Sequence, residues 1–222
     1  MFRQLAILVW KDVLIDLRRK ENLISLLLFS ILTLLIFNFA AGDPPQAFQK
    51  LIPGLIWVVF LMSGTLALGK SFVQEMETGC IGGLLLAPMD RSLLFLGKTL
   101  ANLIFLLISQ SIFIALSLFF FAIPPQSLGH LFLVLLAGSL GFSALGTVLT
   151  AMTAALRGRE VLLPILLFPL MVPSVISLVH LSSFLLFGEY SEEVGSWWKL
   201  LLGNDALLII ASTLGFELVT EE

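Results

Sequence analysis

Gly64, Gly69, Lys70 and Ser71 stand at the spacing of a phosphate-binding P-loop, the most explicit chemical signal in the chain. The pattern works when glycine-rich backbone follows a strand and leaves its amides free to cradle phosphate. Here Thr65–Leu68 close a long apolar run, and no strand pattern precedes them. In lipid such a run commits its amides to its own helix, so none is left for a nucleotide. Lys70 reads instead as a lysine reaching from a helix end to the interface. His130 and His180 are the two histidines. Histidines on facing helices can ligate haem iron, which makes this pair haem-contact candidates; the competing reading is two imidazoles hydrated at helix ends. Cys80 is the single cysteine, so neither a disulfide nor a cysteine zinc site is expected. Glu192 and Glu193 adjoin each other without a histidine to complete a metal site, and only Asp205 and Glu217 place charge within a late apolar run. Hydrolysis in a membrane needs a nucleophile with its base, or a metal with its ligands. Neither constellation is visible, so the expectation is no catalytic residue, no metal and no directly bound cofactor.

The elements that carry these residues follow from composition. Hydrophobic residues make up 59% of 222 and charged ones 12%, with a mean hydropathy of +1.07. A soluble domain carries roughly 25% charged residues and cannot enclose this much apolar surface. The net charge of −3, without a dense basic tract, gives no nucleic-acid signal. A cleaved secretory signal is not expected, because the first apolar run begins only at Leu23 and others follow it. Residues 22–42 and 51–69 are uncharged and long enough to span a bilayer. Residues 99–156 lack Asp, Glu, Lys and Arg throughout, too long for one span. Pro124 and Pro125 divide them, since proline removes a backbone donor and stops a helix. The expected fold is therefore an all-α membrane protein. It forms one domain over 1–222 with six spans near 22–42, 51–69, 99–122, 131–156, 161–180 and 200–219.

Basic residues orient such a bundle, because lysine and arginine are retained on the cytoplasmic side. With six spans, Arg3, Lys11, Arg18, Arg19, Lys20, Lys70, Arg91, Lys98, Arg157 and Arg159 share one side. Lys50 and Lys199 occupy the other. Both termini are then expected in the cytoplasm. Residues 2–20 set Phe2, Leu5, Ala6, Val9, Val13 and Leu17 at helical spacing among basic residues. That pattern predicts an amphipathic helix lying in the interface against lipid head groups; a plain extension of the first span is the alternative. Trp197 and Trp198 fit an aromatic belt.

Ser139, Ser143, Thr147 and Ala151 recur every fourth residue in the fourth span. Small residues let helix backbones approach closely, which predicts a packing face within the chain or across a dimer. Pro164, Pro169 and Pro173 interrupt the fifth span, either lining a path or marking a buried kink.

The loop after the second span carries Phe72, Glu75, Glu77, Gly79, Leu84, Leu85, Leu86 and Pro88, then Asp90, Arg91, Gly97 and Lys98. That order resembles the ABC-2 type permeases and, within them, the CcmB family of haem-exporter permeases. Pro53, Gly54 and Trp57, Arg157 to Pro164, and Pro169 to Pro173 extend the resemblance over nearly the whole chain; the acidic tail departs from it. The resemblance implies a subunit that hydrolyses nothing, with ATP bound on a separate CcmA-like ATPase. It also implies a CcmC-like haem-handling membrane protein, a small CcmD-like subunit, a permease homodimer in the bacterial inner membrane, and haem as substrate. The stretch 72–88 becomes a cytoplasmic coupling helix fitting a groove on the ATPase. The residues agree physically, since apolar clusters in loops mark partner sites and nearby acids add specificity; Leu84–Leu86 lying against the membrane is the alternative. The rival functions are a non-transporting membrane scaffold and an ABC-2 permease for another substrate.

Overall fold

The computed structural model describes residues 2–18, 20–41, 51–77, 91–121, 128–153, 156, 159–188 and 193–221. Among them the chain is all-helical, with no strand. Seven helices follow one another: α1 Phe2–Arg18, α2 Lys20–Ala41, α3 Ile52–Glu77, α4 Arg91–Phe120, α5 Leu128–Thr153, α6 Arg159–Phe187 and α7 Val194–Glu221. Five of them, α3 to α7, are long and apolar enough to cross a membrane. In α2 the apolar stretch among the described residues is Leu27–Ala40, shorter than a span. Large apolar side chains face outward, among them Phe119 at 80% exposed and Phe39 at 79%. An aqueous surface does not carry such a belt; a lipid-facing one does. The chain is a multi-pass membrane protein.

Helix α5 is the hub, packed against α4, α6 and α7. Its stretch Gly141–Thr150 is buried throughout. Glycines make this closeness possible. A side chain at Gly64 would run into Phe142, at Gly138 into Leu178 and Trp57, and at Gly146 into Leu68. Small residues thus supply the van der Waals contact that holds helices together where lipid gives no hydrophobic drive. Edge-on ring contacts extend the core, with Trp57 to Phe60 at 5.1 Å and Phe60 to Phe142 at 5.2 Å between centroids.

Element ends differ from the expected ones in instructive places. Helix α4 starts eight residues ahead of the expected Thr99 and carries Lys98 inside it, 5% exposed. Helix α6 continues to Phe187 and holds Pro164, Pro169 and Pro173 inside one unbroken helix. Proline removes a donor, but side chains can serve the carbonyls around it. The Ser177 hydroxyl donates to the Pro173 carbonyl at 3.0 Å, in the turn after the last proline.

The N-terminal stripe forms a helix as predicted, with Val13 of the stripe buried and Leu5, Val9 and Leu17 half-buried, but the inward face is rotated toward Leu8 and Asp12. Leu8, Asp12, Val13 and Asp16 of α1 are buried, whereas Ile7 and Trp10 are exposed. The reason is a neighbour absent from the periodicity. Helix α1 packs on α4, and Leu8 fills the space left by Gly97.

Candidate functional site

Of the candidate partner-contact residues, Phe72, Glu75 and Glu77 belong to the last turns of α3. Gly79, Leu84, Leu85, Leu86 and Pro88 lie outside the described residues. What is described is the machinery on either side. The chain leaves α3 at Glu77 and re-enters at Arg91, the first residue of α4. The opening turns of α4 are anchored firmly. Leu93, Leu94 and Phe95 are buried, and Phe95 meets Phe216 of α7 with ring centroids 5.2 Å apart. The Lys98 ammonium lies 3.8 Å from Asp12 Oδ2, and Lys11 lies 3.0 Å from Oδ1 of the same carboxylate. The first turns of α4 thus meet α1 through an ion pair and a glycine contact, and α7 through two rings.

Polar side chains link the spans further along. Gln110 Nε2 of α4 donates to Ser63 Oγ of α3 at 2.9 Å, and Asn102 Nδ2 donates to Thr147 Oγ1 of α5 at 2.9 Å. Trp57 Nε1 donates to Ser182 Oγ of α6 at 2.9 Å. Such bonds are worth about 0.6 kcal/mol on average between membrane helices. They set register more than they add stability.

The predicted packing row lies on α5. Ser139, Ser143 and Thr147 are wholly enclosed, and Ala151 is half-buried. Thr147 also donates to the Ser143 carbonyl at 2.7 Å, so its hydroxyl serves both its own helix and Asn102. On α6, Pro169 faces outward, while Pro164 and Pro173 are half-buried.

The two histidines occupy different surroundings. His130 is exposed in the first turn of α5. The next residues, Leu131 and Phe132, line an apolar groove with Ser111, Ala115 and Leu118 of α4. His180 of α6 stacks on Trp197 of α7, with centroids 4.1 Å apart and planes 9° from parallel. Gly138 faces Leu178, which fixes the level of the antiparallel pair α5 and α6. His130 is then level with the far end of α6, offset from His180 by about 9 Å along the axis at about 1.5 Å per residue.

Sequence reasoning missed three buried groups at α1 and α4, namely Asp12, Asp16 and Lys98. Their signal was weak but present, since two acids four residues apart share one face of a helix. It also gave no task to Asp205, buried in α7 and hydrogen-bonded to Ser174 of α6 at 2.9 Å. Among the described residues no group of three or more His, Cys, Asp or Glu could hold a metal.

A family model described as CcmB protein matches residues 3–217. The chain is also 31% identical over 171 residues to Heme exporter protein B of Pseudomonas aeruginosa, covering 77% of each. The protein of the same name from Haemophilus influenzae is 24% identical over 169 residues, 76% of each. That from Rhodobacter capsulatus is 28% identical over 154 residues, 68% of this chain and 69% of the relative.

Proposed function

The chain belongs to the CcmB family, and from that premise we propose that it is the permease subunit of an ABC transporter exporting haem for c-type cytochrome maturation. The relatives' name, Heme exporter protein B, supports haem as the substrate. In this reading α2 to α7 form six spans in the bacterial inner membrane, and α1 lies at the cytoplasmic face. Both termini are cytoplasmic, which agrees with the concentration of arginine and lysine at that face. Nucleotide binds a separate CcmA-like ATPase; a CcmC-like haem-handling protein, a small CcmD-like subunit and a second permease complete the assembly.

The observation that carries the mechanism is the anchoring of the α4 start. Residues 72–88 act as the coupling element, with Leu84–Leu86 in a groove on the ATPase and Glu75 and Glu77 facing its basic rim. Closure of the ATPases pushes on this element, and the push enters α4 at Arg91. Lys98 with Asp12, Gly97 with Leu8, and Phe95 with Phe216 then carry α1 and α7 along with α4. The row Ser139, Ser143, Thr147 and Ala151 is the packing face that lets neighbouring spans approach α5 closely. The three prolines of α6 are where that helix bends. His130, beside its apolar groove, and His180 remain the haem-contact candidates.

Glu77→Ala combined with Leu85→Asp tests the coupling role. The expected result is loss of ATPase co-purification, and of ATPase stimulation by the permease, with membrane insertion intact. Unchanged binding overturns the role of 72–88. Intact binding of the unaltered chain without any stimulation favours a passive scaffold.

A further inference from the structure

Asp205 lies near the middle of α7 and is 3% exposed. Its Oδ1 accepts a hydrogen bond from the Ser174 hydroxyl at 2.9 Å, and that hydroxyl oxygen accepts one from Asn204 Nδ2 at 2.9 Å. Oδ2 is closed off from solvent and has no hydrogen-bond partner among the described residues. From the third side Gly141 of α5 presses on the carboxyl, so closely that a Cβ there would overlap Oδ1 and stand 2.8 Å from Cγ. Three helices thus converge on one acid, one of them by dispensing with a side chain.

A carboxylate at that depth is costly unless a counter-charge or several donors compensate it. The surroundings supply neither. From Leu131 to Thr153, α5 has no Asp, Glu, Lys, Arg or His. Helix α6 brings Arg159 and Glu160 at one end, and His180 about 9 Å along the axis from Ser174, engaged with Trp197. On α7 itself Lys199 is exposed, about 9 Å along the axis in the direction of His180. Glu217 lies about 18 Å the other way. Helix α4 brings Arg91 and Lys98 at the level of Phe95, which packs against Phe216, and Lys98 is engaged with Asp12. Among the described residues no cation faces the carboxyl, and no second or third acid, histidine or cysteine joins Asp205 to ligate a metal ion. A proton needs none.

We propose that Asp205, with Ser174 and Asn204, is a proton-binding site inside the membrane. The proton sits on Oδ2; Ser174, held by Asn204, donates to Oδ1 and fixes the carboxyl plane. Uptake joins a proton to an Oδ2 lone pair and breaks no bond in the protein. Release leaves a charge that must meet water, so it requires α6 and α7 to part at this level. Proton exchange is thereby tied to the α6–α7 seam, which makes the rearrangement of the bundle proton-dependent. The proposal rests on the membrane-spanning part of the permease reading and not on haem or on 72–88.

The test uses the full chain with its partners in native membranes and dicyclohexylcarbodiimide, a reagent that modifies protonated carboxyls in apolar surroundings. Peptide mass spectrometry should find the adduct on Asp205. Its yield should fall as pH rises and be indifferent to sodium. Asp205→Asn should abolish the adduct, and Ser174→Ala should shift the pH at which it disappears. No adduct on Asp205 at any pH, with other carboxyls modified in the same sample, overturns the proposal. So does protection by sodium at constant pH, which would assign the site to a metal cation. An Asp205 adduct alongside failure of the Glu77 and Leu85 test sinks the coupling role alone.

Discussion

Asp12 and Asp205 are both buried carboxylates, at 7% and 3% exposure, and they are compensated by opposite means. Asp12 sits between two ammonium groups, Lys11 at 3.0 Å and Lys98 at 3.8 Å. Asp205 has one hydroxyl and a close glycine. The difference follows position. The start of α4 brings Lys98 to α1, so an acid from α1 finds counter-charge there and the pair latches two helices. Among the described residues the middle of the bundle offers no counter-charge, and an acid there is tolerated only by specific neighbours. A buried charge with an ionic partner reads as architecture, whereas one left with neutral donors reads as a working group.

Removing the cation from the first region should give the largest effect. Lys98→Ala removes the buried one of the two cations and leaves Asp12 with the more exposed Lys11, which costs up to about 3 kcal/mol. It should show as a lower melting temperature in detergent and faster proteolysis within α1. Adding Asp12→Asn to Lys98→Ala should recover most of the loss; if the double variant is as unstable as the single one, the latch is not ionic. Next in size is the glycine of the second region. Gly141→Ala drives a methyl group into the short, immobile Asp205 side chain, at about 1–3 kcal/mol. Gly97→Ala meets the flexible end of Leu8 and should cost less, by the same melting assay. The reverse ranking would mean that α5 can retreat from Asp205 easily. Smallest is the neutral baseline between the two regions. Asn102→Ala removes a bond to Thr147 and should lower stability by about 0.6 kcal/mol. A loss as large as that of Lys98→Ala would erase the distinction between charged and neutral polar contacts.

Uncharged runs locate α3 to α6, and an apolar run interrupted by Asp205 locates α7, because a bilayer imposes both length and composition on a span. Their ends are harder to read. A lysine ordinarily marks a boundary, but Lys98 lies within α4 because Asp12, far away in sequence, receives it. Periodicity predicts that residues 2–18 are helical and cannot say which neighbour they meet; Gly97 selects the face containing Leu8 and Asp12. The three prolines suggest an interrupted α6, yet the helix runs through them. Asp205 is visible in the sequence as an acid in an apolar run, but nothing local pairs it with Ser174, thirty-one residues earlier on another helix. The small-residue row on α5 was the most legible packing feature, since its spacing alone places it on one face.

Orientation of the 72–88 segment underlies the whole account, and Cys80, the single cysteine, reports on it without any engineering. A membrane-impermeant maleimide should leave Cys80 unmodified in intact cells and modify it in inside-out vesicles, more slowly when the ATPase is bound. Modification of Cys80 from outside intact cells would put the segment on the wrong side of the membrane and contradict the account.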